Sequence, residues 1–331
     1  MSAIEPAAAP AAALDALLEA LSGPAVRDLA WLLFSAPLLR AQPPAGELAG
    51  AFECADEAAA TIAWLLALDR DPRPLTEALE ATRIVRLGRY AECLLGYFLQ
   101  HGPAARLVAA NVALRLAGRT IGECDFLVET ASGRRLHWEL AVKCYLHAGG
   151  ERAELADYVG PNLQDRFDLK RAHLLGHQLP LSARDEFAAL GHAGPWQAQM
   201  FVKGWLFYRW RESCSIAPDV EPTHHRGFWV TRGEWMAFCA TRAHARWMVL
   251  PRLAWLAPRP AIANADADAS GLGAAAALAE RLALQSGPTM VGSFERERTG
   301  LGRWREIERG FVVPDEWPEQ ARAFAQKIAI S

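Results

Sequence analysis

The order of hydrophobic patterns along this chain predicts an α/β fold whose core runs helix, strand, strand, strand, helix, strand. Three observations carry that expectation. Residues 89–101 (RYAECLLGYFLQH) place apolar groups at 91, 94, 95, 98 and 99, one stripe of a 3.6-residue helix. Residues 136–146 (LHWELAVKCYL) are apolar at every even position over 11 residues, the period-two signature of a half-buried strand. Residues 163–179 (LQDRFDLKRAHLLGHQL) then return to helical spacing before Pro180.

The elements follow in order. Residues 1–12 are rich in Ala and Pro and are expected to be a disordered tail. LDALLEALS and VRDLAWLLFSAPLL read as two helices, broken by Gly23 and Pro24. Residues 41–54 read as a loop, 55–68 as a helix, and DRDPRP as a turn; 13–74 together form a helical cap. The core is expected over 75–208. Gly102 and Pro103 end its first helix, and residues 105–116 and TIGECDFLVE form an antiparallel pair across Gly118. ETASGRR turns into the alternating strand, one face of which packs on helices while the other carries His137, Glu139, Ala141, Lys143 and Tyr145. AQMFVKGWLFY, residues 198–208, is the last core strand. A C-terminal α+β extension, 209–331, packs on the core: a strand in EPTHHRGFWV, an apolar piece broken at Pro251, a flexible loop over 259–272, a helix in AAAALAERLALQS, and a strand and short helix at the end.

Composition narrows the function. A net charge of -3 argues against a protein that coats nucleic acid through global charge, so any such role needs a local cleft. The six cysteines form no CxxC pair, which points away from zinc ribbons and toward reduced, buried thiols. The first residues lack the basic region of a signal peptide, and no run of ~18 apolar residues suits a membrane span, so a cytoplasmic protein with no membrane association is expected. The 12 tryptophans are expected in the core, with Trp196, Trp205 and Trp229 as alternative base-stacking groups.

The chemistry concentrates in one hairpin. Phosphodiester hydrolysis uses divalent cations to activate water and absorb charge, and hard cations such as Mg²⁺ take carboxylate oxygens. A neighbouring lysine stabilises the charge that develops. The segment Gly122-Glu123-Cys124-Asp125, a turn, then Glu139 and Lys143 presents those groups in that order. Lys170, His173 and His177 share a face of the following helix, and His225-Arg226 offers a further basic group, so Lys170, His173, His177, Gln178 and Arg226 are the candidate nucleic-acid contacts.

At these residues the sequence resembles the PD-(D/E)XK nuclease superfamily, with GE-hydrophobic-D on one strand and (D/E)-x-K on the next. The resemblance implies a restriction-endonuclease-like αβββαβ core with a mixed sheet. It implies a metal site of Asp125, Glu139 and Glu92, the last from the preceding helix, loaded with Mg²⁺ or with Mn²⁺ as its substitute. It implies Lys143 as the catalytic lysine, Gln178 as a helix-borne contact, and a nucleic-acid substrate, DNA ahead of RNA. GECDFLV, HWELAVKCYL, GPNLQDRFDLKRAHLLGHQL, VKGWLFY and HRGFWV are more narrowly similar to a bacterial family known as domain of unknown function 1853, from the DLAWLLFSAPLL helix onward. One departure stands. The position two before Lys143 is Ala141, and the acid is Glu139, about 13 Å away along a flat strand instead of about 7 Å. Either a bulge or twist shortens that gap, or Asp125 and Glu92 hold the metal with Glu139 behind them, or the fold binds nucleic acid or a protein partner without cleaving. A homodimer is compatible with each.

Overall fold

The computed structural model describes residues 11–41, 46–116, 118–192, 194–267, 269–297 and 302–327. Five helices come first: α1 (Ala11–Ala20), α2 (Pro24–Phe34), α3 (Ala55–Arg70), α4 (Arg73–Glu80) and α5 (Leu87–His101), with a two-residue strand β1 (Glu47–Leu48) before α3. Strands β2 (Ala105–Leu116), β3 (Arg119–Thr130) and β4 (Arg135–His147) follow, then β5 (Tyr158–Val159), α6 (Phe167–His173), the short α7 (Asp185–Ala188) and β6 (Gln197–Arg209). The C-terminal part holds β7 (His225–Thr231), α8 (Trp235–Ala240), β8 (Arg246–Val249), α9 (Ala275–Ala283), β9 (Thr289–Arg296), β10 (Trp304–Val313) and α10 (Trp317–Ala325). The mixed α/β class is the expected one, and the order α5-β2-β3-β4-α6-β6 is the αβββαβ order, with the small β5 and α7 inserted in it.

The chain divides into two compact units, residues 1–143 with 170–204, and residues 144–169 with 205–331. It passes from one to the other within β4, α6 and β6. The N-terminal helices thus belong to the same unit as the hairpin strands.

In the first unit α2 is buried all round, as a central helix must be. Gly23 and Pro24 begin it, and the Asp69 carboxylate of α3 accepts the Ser22 and Gly23 N–H groups at 2.9 and 2.7 Å in place of an N-cap side chain. Asp28 and Arg27, buried on α2, are satisfied by the Tyr90 hydroxyl at 2.9 Å and by the Leu21 carbonyl at 3.0 Å. The expected α5 stripe is the buried one: Ala91, Leu94, Leu95, Phe98 and Leu99. The strand order is β2-β3-β4-β6, and β1 runs parallel to β6 on its other side. Gly204, at φ +146°, lies against β4 so tightly that an added Cβ would stand 1.7 Å from the Lys143 carbonyl oxygen.

The second unit orders β6-β7-β10-β9-β8, with the first two contacts parallel and the last two antiparallel. Its core joins Phe228, Val230, Trp235, Phe238 and Trp247 to Leu278, Leu282, Val291 and Val312. Arg309, 1% exposed, donates Nε to Glu306 at 2.6 Å and Nη2 to the Ala257 carbonyl at 2.8 Å. Glu306 also accepts the Arg259 N–H at 2.6 Å. Breaking a buried pair strands one charge, so Glu306→Leu alone should lower the free energy of urea unfolding by about 3–5 kcal/mol, and Glu306→Leu with Arg309→Met should recover most of it. Equal losses in the single and double variants would show that the pair's charge complementarity is not what holds this region.

Several expectations need correction. Residues 1–10 of the expected tail lie outside the described residues, and Ala11–Ala12 begin α1. The loop 41–54 contains β1, and α4, α8 and β9 were not foreseen. The segment 259–272 packs: Ala267 and Leu272 join Phe294 and Trp304 in a small core, because its alanines and leucine can be buried despite the polar residues between them. Pro180 does not end the fifth core element. α6 runs into a π-helical turn, Leu174–Gln178, and then a 3-10 turn, Leu179–Ala183, whose second residue is Pro180, where no N–H is needed. The six cysteines are all free, though only Cys124 and Cys239 are buried and Cys54 is exposed. Trp196, Trp205 and Trp229 are core residues.

Candidate functional site

The site begins where the hairpin opens. β2 and β3 stay paired along their length, but β3 and β4 pair only from Glu129↔Arg135 to Phe126↔Trp138. The next opposed positions are Asp125 and Glu139. There the side chains take over from the backbone: Asp125 Oδ2 accepts the Leu140 N–H at 2.9 Å, and Glu139 Oε1 accepts the Asp125 N–H at 3.3 Å. Two carboxylates thus close the fork reciprocally and share one face of the sheet. Asn111 of β2, between the Ala110↔Phe126 and Val112↔Cys124 pairs, has φ +53°, a conformation that Asn tolerates better than most residues.

The face that carries Glu139 is not open to solvent, which corrects the half-buried reading of β4. His137 and Glu139 are both 0% exposed. The turns after α6 fold over them. His137 Nδ1 and the Ser182 hydroxyl are 2.9 Å apart, His137 Nε2 and Glu139 Oε1 are 2.7 Å apart, and the Gln178 amide donates to Glu139 Oε2 at 2.5 Å. Lys170 Nζ in turn donates to Gln178 Oε1 at 2.8 Å. The π-turn puts one extra residue into that segment between Lys170 and Gln178, as π-turns often do near functional sites.

Electrostatics mark Asp125. Burial first, and then the Glu139 and Glu92 charges, push its carboxyl up to about 8; the Leu140 N–H and the Lys170 ammonium act against them. Asp125 Oδ1 accepts no hydrogen bond from the described residues. Glu92, on α5, is held by Arg89 at 2.8 Å. Lys143, half-buried, stands four residues beyond Glu139 at the edge of the first unit. Lys170, from α6, is a cation whose field reaches Asp125.

The remaining candidates distribute as follows. His173 and His177 are exposed and stack with ring centroids 4.9 Å apart, and burial together with Lys170 and His177 lowers the His173 pKa. Arg226 belongs to the second unit, where its guanidinium lies 3.8 Å over the Tyr208 ring. His137, Ser182 and Cys124 were missed by sequence reasoning. His137 had a usable signal, since it lies two before Glu139 and so shares its face, whereas nothing in the sequence links Ser182 to β4. Cys124, His137 and Glu139 each have a potential ligand atom within 4.8 Å of the others'. Burial raises the Cys124 thiol far above its usual range, which keeps it protonated and a poor ligand.

A family model matches residues 27–313, which is most of the chain. The protein belongs to the family described as domain of unknown function (DUF1853). No curated protein and no solved structure is significantly similar to this DUF1853 chain. Among the described residues no helix is long and apolar enough to cross a membrane.

Proposed function

We propose that this DUF1853 protein is a metal-dependent nuclease that hydrolyses phosphodiester bonds, with DNA preferred to RNA, on a restriction-endonuclease-like core. The observation that carries the reading is the carboxylate fork: Asp125 and Glu139 opposed at the point where β3 and β4 separate, with Glu92 near enough to add its charge to Asp125. The Glu139 charge disfavours ionisation of Asp125 beside it, and the two carboxylates form a donor set that fits a hard divalent cation. Such a cation would relieve the repulsion, and Asp125 Oδ1 is available to it. Mg²⁺ or Mn²⁺ bound there would polarise the phosphoryl oxygen and acidify a water.

The chain's own groups prepare the site. Gln178 and His137 hold the Glu139 carboxylate in one orientation, from opposite oxygens. Ser182 fixes the His137 ring behind it. Lys170 offers a positive charge beside the acids while its ammonium is tied to Gln178, a position from which it can meet a phosphate oxygen. Lys143 stays a candidate for the same role from β4. His173 and His177 present exposed rings on the same helical segment for backbone contact. The acidic balance of the chain favours a protein brought to its substrate by a partner rather than by non-specific affinity.

The test is cleavage of labelled single-stranded, duplex and branched DNA, and of RNA, with Mg²⁺, Mn²⁺ or EDTA. Metal-dependent cleavage is expected. Lys170→Ala is expected to lower it by about 100-fold, the effect of losing one preorganised charge-stabilising group, and Lys143→Ala to lower it less. The reverse ranking would return the catalytic role to the β4 lysine. A second reading has its own observation: both Glu139 oxygens already carry hydrogen bonds, and Ala141 occupies the position two before Lys143. A folded protein that binds these substrates without cutting any would favour that reading, a nuclease-like fold used only for binding.

A further inference from the structure

A second site lies wholly within the second unit. The turn after β6, the Gly149-Gly150 turn after β4 and the end of α10 enclose a cavity of about 630 Å³. That is within the ~300–1,000 Å³ span of small-molecule sites. Its lining is mixed polar and apolar and contains three arginines, Arg209, Arg211 and Arg322.

Three carboxylates, Glu151, Asp157 and Glu212, line it as well, but the arginines differ in how they are held. Arg209 is committed to Glu212 at 2.7 Å and to Glu234 at 3.2 Å. The Asp157 carboxylate accepts the Glu154 N–H at 2.8 Å and so fixes the turn that follows the cavity wall. Arg211 and Arg322 are different. Arg211 lies 3.9 Å over the Trp210 ring and takes no carboxylate partner among the described residues; its φ of +66° is unusual for a side chain of that size. The Arg322 guanidinium is exposed and has no partner among the described residues. At the back, His147 is 4% exposed, packed by Tyr158 and Tyr208 with ring centroids 5.2 and 6.0 Å away, and its Nε2 has no hydrogen-bond partner among the described residues. A buried polar atom left in that state costs ~1–3 kcal/mol.

We propose that this cavity binds a phosphate-bearing small molecule of sugar-phosphate to mononucleotide size, with Arg211 and Arg322 clasping the phosphate and His147 meeting a polar group of the body. Guanidinium forks match phosphate oxygens in pairs, and stacking on Trp210 holds one fork ready at low entropic cost. The volume exceeds what a bare phosphate fills, which is why an organic body is part of the inference. The site shares no residue with the carboxylate fork, so it stands whether or not the chain is a nuclease.

Isothermal titration of the full chain, in metal-free buffer, with ribose 5-phosphate, AMP, ribose and inorganic phosphate tests this. One of the two esters is expected to bind at least tenfold more tightly than inorganic phosphate, and ribose not to bind. Arg211→Gln and Arg322→Gln, both at exposed positions, should each weaken ester binding about tenfold, the loss of one charge-assisted contact, with the circular dichroism spectrum unchanged. His147→Gln should reduce the preference for ester over inorganic phosphate. No binding of either ester at millimolar concentration, binding no tighter than inorganic phosphate, or binding undiminished in both arginine variants would each overturn the proposal.

Discussion

Asp125→Asn is expected to move activity and stability in opposite directions. Cleavage should fall by more than about 100-fold, beyond the ~10–100-fold that losing an outer partner of a metal ligand costs. Stability of the metal-free protein should rise at alkaline pH. The sign follows from the direction of the shift. The Asp125 carboxyl has an ordinary value of 3.8 and is pushed up to about 8 in the fold. Between those values the folded state holds a proton that the unfolded chain has released, so stability falls as pH rises, by about 1.4 kcal/mol per pH unit, and the loss is complete above the folded value. Below pH 4 both states are protonated and the aspartate carries no penalty. Asn keeps an oxygen for the Leu140 N–H and removes the charge that Glu139 repels. Unfolding midpoints measured from pH 4 to pH 9 in EDTA should therefore slope less in Asp125→Asn than in the parent, with the curves meeting at the acid end. Mg²⁺ should raise the parent's midpoint at pH 8 and leave the variant's nearly unchanged. Parallel curves would mean that the acids do not repel as described, and the case for a cation between them would lose its main support.

The second large effect is structural. Gly204→Ala should leave little folded protein. The new Cβ would sit 1.7 Å from the Lys143 carbonyl oxygen, and a φ of +146° is closed to an L side chain. Relief requires β6 to move away from β4 or its backbone to change conformation, either of which disturbs Lys143 and the strands that present the fork. The expected loss, above ~4 kcal/mol, belongs to the rare class of single substitutions that unfold a domain. Soluble yield and the far-ultraviolet spectrum would report it. Gly118→Ala is the control: Gly118 also has positive φ, at +78°, but an added Cβ meets nothing within 4 Å, so only backbone strain of about 1 kcal/mol is expected there. Similar losses at the two positions would make conformation, not close approach, the reason for glycine at 204.

Much of this architecture was legible in the residues, for reasons that differ by element. The α5 stripe and the β4 alternation are local periodicities; each element formed where its period placed it, and burial followed the stripe of α5 directly. Gly102, Pro103 and the polar turn at Ser132-Gly133 act within a few residues and set element ends correctly. The reading of β4 as half-buried failed because alternation identifies two faces but not what covers the second one. His, Glu and Lys on a strand look solvated until another segment supplies their hydrogen bonds. Here that segment is 174–183, which needed both the π-turn and Pro180 inside a 3-10 turn, and neither has a pattern a local rule would find.

The amino-acid sequence by itself determined the element order, the hairpin, and the presence of Asp125 and Glu139 on facing strands, because these depend on periodicity and on short-range turn chemistry. The tertiary structure alone decided that the two acids meet one position beyond the last β3–β4 pair, that Lys170 reaches them through Gln178, and that His137 and Ser182 stand behind Glu139. The contacts between β3, β4 and the covering turns join residues 14 to 45 positions apart. Their geometry is set by where strands separate and how a covering turn packs, and no spacing along the chain encodes it.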